Sequence, residues 1–303
     1  MIRVLASDGI EKAGFEKLVA LGFEVVEQFY EAEELKEQIK NFDVLVVRSA
    51  TKVTQPIIDS AVAGGRLKLV IRAGVGVDNI DVAYATEKGI KVTNTPKASS
   101  ISVAELTIAH MFAVSRFVNI SNVAMRAGKW DKKNYEGVEI FGKTLGLIGF
   151  GRIAKEVAVR AEALGMNVIY TDVVGEDENL LYKYGSLDEV LATSDYLSLH
   201  IPYNKETGAV IGKENISKMK DGAYLLNCAR GGVVDEAALL EALNSGKLAG
   251  AGVDVFEEEP TKNVELVNHP KVSVTPHIGA STVEAQTRIG EEVVSIIAKF
   301  FKK

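Results

Sequence analysis

At 303 residues the chain is long enough for two domains of ordinary size, and a composition 47% hydrophobic and 25% charged supports a sizeable core and excludes a disordered chain. A net charge of −6 argues against a general nucleic-acid surface, although a small anion needs only a local group of arginines. Cys228 is the only cysteine, so no internal disulfide can form and a reducing compartment is expected. Met1 runs straight into a strand-like segment without the basic leader and apolar core of a signal peptide, and no apolar stretch has the roughly 18 uncharged residues of a membrane span. A soluble, cytoplasmic protein with no membrane or nucleic-acid partner is the expectation.

Strand-like runs at 2–7, 24–27, 44–48, 67–72 and 91–93 alternate with helical segments, of which 12–21 and 33–39 are the first two. Such alternation predicts a parallel sheet with helices on its faces. Gly22 stands where a glycine commonly ends a helix. The fourth strand leads into RAGVGVDN, residues 72–79, a glycine-rich loop at the carboxyl end of a strand, where open α/β sheets place their ligands. A plain turn is the competing reading there. Asn94-Thr95-Pro96 marks a first crossing between lobes. The pattern from 100 to 127 predicts one long helix, apolar on more than one face, which would bury a side against a partner chain. Strands at 144–148, 167–171, 196–200, 223–228, 250–255 and 272–275 follow, with helices at 153–164, 187–192 and 236–244. Pro276 marks the return crossing, and the last helix, 283–301, lies beyond it. The expected fold class is α/β, with two Rossmann-like, doubly wound parallel-sheet domains and a cleft between them. Residues 1–96 with 279–303 would bind substrate, and residues 97–278, including the long helix, would bind the cofactor.

The most informative stretch is residues 142–172. An apolar strand ends in Gly149-Phe150-Gly151-Arg152-Ile153-Ala154, a G-x-G-x-x-A turn that opens a helix with Ile153, Val157 and Ala161 on one face. Gly149 permits the tight turn, Gly151 admits a pyrophosphate to the backbone, and Ala154 allows close packing of helix on strand. The free amides at the helix start bind phosphates. Asp172, at the end of the next strand, has the spacing of the acid that accepts hydrogen bonds from a ribose 2′-OH and repels a 2′-phosphate. NAD is therefore expected over NADP.

Later residues carry the chemistry. Asn227-Cys228-Ala229-Arg230-Gly231-Gly232 sets an arginine just past an apolar strand, flanked by glycines, where its rigid fork suits a carboxylate. A surface arginine in a turn is the alternative. Asp254 interrupts an apolar run and needs a partner or a ligand. Glu257 and Glu258 read as a solvated face. Thr275-Pro276-His277-Ile278-Gly279 places a histidine at the lobe crossing, suited to proton transfer near neutrality. His110 and His269 read as structural, and His200 as lining the site without doing chemistry. No metal site is read.

With these residues in view, the chain resembles the D-isomer-specific 2-hydroxyacid dehydrogenases over essentially its whole length from Asp8. The most specific pieces are RSATKVT (48–54), RAGVGVDN (72–79), NCARGG (227–232) and PHIGAST (276–282). The resemblance implies that Arg230 binds the substrate carboxylate, His277 is the acid/base and Glu259 pairs with it. It implies that Asp254 holds the nicotinamide carboxamide, and that Arg152, Ile153 and Asp172 hold pyrophosphate and ribose. Val75, His200, Ile201, Pro202, Thr207, Cys228, Ala229, Gly279 and Ala280 would complete the cofactor site, together with Arg230 and His277. Arg48, with Ser49, Arg72, Val75 and Gly76, would meet the substrate, Arg48 and Arg72 its phosphate, with Lys132 or Lys133 reaching in from a partner subunit. A phosphorylated 2-hydroxy acid is thus expected, because an uncharged substrate tail needs no arginine after the third strand. Unphosphorylated hydroxy acids are the alternative, and the NAD-sensing corepressors of the family, which bind peptides, are a minor one. A homodimer through the long helix is expected. Two positions depart from the family pattern: Ala154 replaces the third glycine, and Val75 stands where a Thr is common. Longer relatives carry a C-terminal regulatory domain that binds serine, and since the chain ends about one helix after His277, little inhibition by L-serine is expected.

Overall fold

Twelve strands, each parallel to its neighbours, form two separate sheets. The computed structural model describes residues 1–303, and its contacts divide the chain into one unit of Met1–Ser99 with Ala280–Lys303 and a second of Ser100–Gly279.

In the first unit the order is β1 (Arg3–Ala6), α1 (Lys12–Ala20), β2 (Glu24–Glu27), α2 (Ala32–Gln38), β3 (Val44–Val47), α3 (Gln55–Gly64), β4 (Leu69–Arg72), α4 (Val82–Glu87) and β5 (Lys91–Asn94). Spatially the strands run β2-β1-β3-β4-β5. A parallel sheet is covered on both faces, so its central strands need no polar side. Val44-Leu45-Val46-Val47 is accordingly buried at every position. Leu35, Ile57, Ile58 and Ala85 cover one face of this sheet, and Leu18, Ile289, Val293 and Ile297 the other. Capping follows the local sequence: Glu11 accepts the amides of Ala13 and Gly14 at the start of α1, Pro56 stands in the first turn of α3, and Gly65 closes that helix with a left-handed φ of 68°.

The second unit contains α5 (Ser100–Ser115), α6 (Val118–Arg126), β6 (Thr144–Ile148), α7 (Arg152–Ala163), β7 (Asn167–Thr171), β8 (Lys183–Tyr184), α8 (Leu187–Thr193), β9 (Tyr196–Leu199), α9 (Lys213–Lys218), β10 (Ala223–Asn227), α10 (Glu236–Ser245), β11 (Leu248–Val253), α11 (Val264–Val267) and β12 (Val272–Val274). Its sheet order is β12-β11-β10-β9-β6-β7-β8. The final helix, α12 (Val283–Phe301), belongs to the first unit and is capped by the Thr282 side chain.

The long helix expected over 100–127 is two helices, bent by 66°. Ser115 Oγ donates back to the Met111 carbonyl, a bond that bends helices, while the Ser115 carbonyl is taken by the amide of Val138. Phe117 then adopts a left-handed φ of 55°. The apolar faces also divide differently from the expectation. Helix α5 buries Val103, Ala104, Thr107, Met111 and Val114 within its own unit, whereas α6 buries no residue at all. The remaining strand boundaries shift by one or two residues, and the short elements β8, α9 and α11 have no counterpart in the sequence reading. No single helix is long and apolar enough to cross a membrane.

Helices α1 and α12 cross where Gly14 meets Gly290, and a Cβ on Gly14 would stand 3.2 Å from the Gly290 Cα. Gly14→Leu should therefore force the helices apart and destabilise the first unit by about 1–3 kcal/mol. An unchanged thermal unfolding profile would show that this crossing is slack.

Candidate active site

Parallel strands deliver all their carboxyl ends to one edge, and in the second sheet that edge carries nearly every residue singled out by sequence. Strand β6 leads to Gly149, β7 to Asp172, β9 to His200, β10 to Arg230, β11 to Asp254 and β12 to His277. The strand order reverses between β6 and β9, the position where open α/β sheets bind ligands. There the His200 amide donates to the Ile148 carbonyl at 2.8 Å, and a Cβ on Gly149 would lie 2.6 Å from the His200 carbonyl oxygen. Gly149, at φ 83°, satisfies both the turn and this close approach.

The dinucleotide turn has the form its sequence predicts. Gly151 caps α7 without any side-chain bond to the free amides, and no atom lies within 4 Å of where its Cβ would stand. Space and unsatisfied donors thus coincide where a pyrophosphate would approach. Ala154 is fully buried against the sheet. Asp172 accepts the Phe150 amide at 2.6 Å through one oxygen and the Val174 amide at 2.9 Å through the other, which ties the acid to the turn. These residues fit a bound NAD.

The catalytic candidates converge in the same unit. His277 Nδ1 lies 2.7 Å from Glu259 Oε2, and Glu259 Oε1 accepts the Phe256 amide at 3.1 Å. Burial alone would raise the Glu259 carboxyl. The bond to His277, the Phe256 amide and the nearby charge of Arg230 together hold it below its ordinary 4.5. Arg230 donates to the Ala229 carbonyl at 2.6 Å, and Asn227 braces its loop through bonds to the Arg230 carbonyl and the Ala229 amide. Gly231 is obligatory: a Cβ there would sit 1.7 Å from the Phe256 carbonyl oxygen. Asp254 is 1% exposed, and its carboxylate accepts the Thr275 hydroxyl and the amides of Ile278 and Gly279 at 2.6–2.9 Å. It anchors the turn that carries His277. Sequence reading did not find Thr275 or Asn227 as supports, although an Asn at a strand end is a known turn-former.

The other residues predicted for the cofactor site differ in their exposure. His200 hydrogen-bonds Ser198 at 3.0 Å, and removal of its ring from water pushes it down to about 3, so it is neutral near pH 7. Cys228 is buried and its thiol is raised to about 12 by that burial, which leaves it inert. Ile201 and Ala280 are half-buried, Ala229 and Gly279 are buried, and Arg152, Pro202 and Thr207 are exposed.

In the first unit the strand order reverses between β1 and β3. Asp8 bridges that point, accepting the amides of Arg48 and Thr51 through one oxygen and the Thr51 hydroxyl through the other. Asn79 clamps the same loop, donating to the carbonyls of Arg48 and Thr51. Ser49 is exposed there, while Val75 and Gly76 are half-buried in the glycine loop. Arg72 folds over Gly74, so a Cβ at Gly74 would collide with its guanidinium, and it donates to the Ala73 carbonyl at 3.3 Å.

A dinucleotide turn, an arginine and a histidine–carboxylate pair on one sheet edge define a nicotinamide-dependent dehydrogenase. Comparison with known proteins narrows the class. Residues 108–279 match the model of the D-isomer specific 2-hydroxyacid dehydrogenase NAD-binding domain. The chain is 49% identical over 301 residues to a hydroxypyruvate reductase of Thermotoga maritima, covering 98% of this chain and 97% of that protein. It is 45% identical to a D-3-phosphoglycerate dehydrogenase of Methanocaldococcus jannaschii across its own full length, but spans only 58% of that relative. A D-lactate dehydrogenase from Aquifex aeolicus, solved with NAD and lactic acid, superposes with a TM-score of 0.87 at 35% identity, covering 99% of this chain and 95% of that one. The chain belongs to the D-isomer-specific 2-hydroxyacid dehydrogenase family, and its cofactor is NAD.

Because Glu259 has a lower pKa folded than unfolded, its pairing with His277 contributes stability that is fully present above pH 4.5 and lost as pH falls through the folded value. The difference in unfolding free energy between the native chain and Glu259→Gln should therefore shrink as pH falls below 4.5. It should be small, since the carboxylate is 38% exposed and water screens it. A difference that grows as pH falls below 4.5 would contradict the pairing.

Proposed function

We propose that the chain catalyses the NAD-dependent oxidation of D-3-phosphoglycerate to 3-phosphohydroxypyruvate. Arg48 carries this reading. Its backbone is fixed by Asp8 and Asn79 at the reversal point of the first sheet, yet its guanidinium makes no ion pair, whereas Arg3 and Arg66 of the same unit each hold a carboxylate. An unpaired guanidinium on a fixed backbone at a ligand-binding edge suits a phosphate.

Bound NAD supplies the hydride acceptor. His277 Nε2, the ring nitrogen turned away from Glu259, takes the proton of the C2 hydroxyl as the C2–H bond breaks. Glu259 keeps the Nδ1–H tautomer and stabilises the imidazolium that forms. Arg230 orients the substrate carboxylate and favours the developing carbonyl. General base catalysis of this kind is worth roughly 10²–10⁴-fold.

A second reading, reduction of hydroxypyruvate, is favoured by the Thermotoga maritima relative, which matches this chain nearly end to end. The two separate on rates with NADH and either 3-phosphohydroxypyruvate or hydroxypyruvate. The phosphorylated acid should be strongly preferred. Arg48→Ala should raise its KM by roughly 10–100-fold, the worth of a charge-assisted bond, and leave the KM for hydroxypyruvate unchanged. Equal preference in the native chain, or equal losses on both acids in the variant, would move the protein to the second reading.

The protein is further proposed to be a homodimer. Helix α6 buries none of its own residues, and Val118, Val123, Met125, Trp130 and Phe141 are all more than half exposed. Single apolar residues at a surface need no explanation, but several on and after one helix that buries nothing support an interface. Lys132 and Lys133 follow α6 in an exposed turn and are the residues a partner subunit would lend to the substrate. Sedimentation equilibrium should give a dimer for the native chain and a monomer for Val123→Asp. A native monomer would end this proposal.

A further inference from the structure

The turn that presents His277 is under backbone strain. His277 has a left-handed φ of 53°, a region that only glycine occupies without cost. Asp254 holds it there: its carbonyl accepts the His277 amide at 2.8 Å, and its carboxylate accepts the next two amides. Behind Asp254 stands Thr275, and behind Thr275 stands His110, a 2% exposed residue of α5. His110 Nε2 lies 2.9 Å from Thr275 Oγ1, and its Nδ1 lies 3.0 Å from Ser273 Oγ. Gly252 lets the ring come this close, since a Cβ there would be 2.6 Å from the His110 Cβ.

The hydrogen-bond directions can be assigned from the donors available. Asp254 Oδ1 already accepts the Ile278 amide, so the Thr275 hydroxyl gives its only proton to the carboxylate. Thr275 must then accept from His110, which fixes the proton on Nε2. Burial lowers the His110 pKa, against an opposing pull from Asp254, and the neutral ring leaves Nδ1 to accept from Ser273. Each link has a defined donor.

We propose that His110 is a positioning residue for the reaction: through Thr275 and Asp254 it fixes the strained turn that aims the imidazole of His277. This rests on the reading of His277 as the acid/base. A histidine that merely filled space would affect stability without separating kcat from binding. A chain of directed bonds would affect the aim of His277, and a misplacement of 1 Å costs about 10²-fold in rate.

The test compares His110→Leu, which removes both bonds, with His110→Gln, which can donate to Thr275 and accept from Ser273. Each is assayed with NADH and whichever of 3-phosphohydroxypyruvate and hydroxypyruvate turns over faster, with NADH affinity measured by fluorescence titration. The leucine variant should lose about 10–100-fold in kcat with NADH affinity held within about twofold, and glutamine should restore most of the loss. In the unaltered protein, ¹⁵N NMR should show the Nε2–H tautomer of His110, a result that holds whether or not the variants fold. A native kcat in His110→Leu, a folded His110→Gln no better than leucine, or an Nδ1–H tautomer would each overturn the inference. His277→Gln is run beside them. If it keeps turnover, the acid/base reading has failed; if it is inactive while His110→Leu is unimpaired, only the role of His110 has failed.

Discussion

Everything in this structure depends on strands that all run the same way. A parallel strand cannot return through a tight turn, so each is followed by a crossover, usually a helix, that covers one face of the sheet. Both faces become apolar, the strands need no polar alternation, and polar residues are expelled to the strand ends. Because the ends share a direction, residues far apart in sequence gather at one edge. Gly149, Asp172, His200, Arg230, Asp254 and His277 span more than a hundred positions and leave the second sheet at that single edge. The first sheet obeys the same rule with Asp8 and Arg48, which follow β1 and β3 at its reversal point.

At the edge, the balance of energies rests on Asp254. A residue held in the left-handed region costs about 1–3 kcal/mol, and a buried carboxylate costs more unless its oxygens are satisfied. Here each cost answers the other. The carboxylate receives two backbone amides and a hydroxyl, each charge-assisted bond contributing about 1.5–3 kcal/mol, and the amides are available only because the turn at His277 is left-handed. Satisfying the acid and straining the turn are one event, which leaves His277 beside Glu259 with little freedom.

The legible parts of the sequence were those whose signal is local. The G-x-G-x-x-A turn, the strand before it and the acid after it lie within about thirty residues, and their geometry follows from positive φ and close approach at named glycines. The apolar strands were legible because a parallel sheet suppresses alternation. The break at Ser115 was not, since half of its cause is the Val138 amide, more than twenty residues away. Asp254 could be recognised as an acid in need of a partner, but its partners lie 21–25 residues further on. His110 reads as structural because it lies within a long helix, and a place in a helix says nothing about the hydroxyls of Ser273 and Thr275 packed against it. Local physics wrote the scaffold, and contacts over long sequence separations wrote the support of the site.

Substrate choice within the family turns on a separate set of groups. A hydroxypyruvate reductase and a D-3-phosphoglycerate dehydrogenase are both more than 40% identical to this chain, so overall similarity cannot decide between them. Both substrates also present the same 2-hydroxy or 2-oxo acid to an arginine, a histidine and a carboxylate. They differ in a doubly charged group at the far end, and only a cation whose charge is not already spent can read that difference. Arg3 and Arg66 have spent theirs on Glu24 and Asp43. Arg48 has not, although Asp8 and Asn79 hold its backbone in place. A chain with a net charge of −6 repels a phosphorylated acid at long range, so its capture depends on local charges held in position. On the proposed reading, an unpaired guanidinium on a backbone held by Asp8 and Asn79 at a ligand-binding edge meets that requirement.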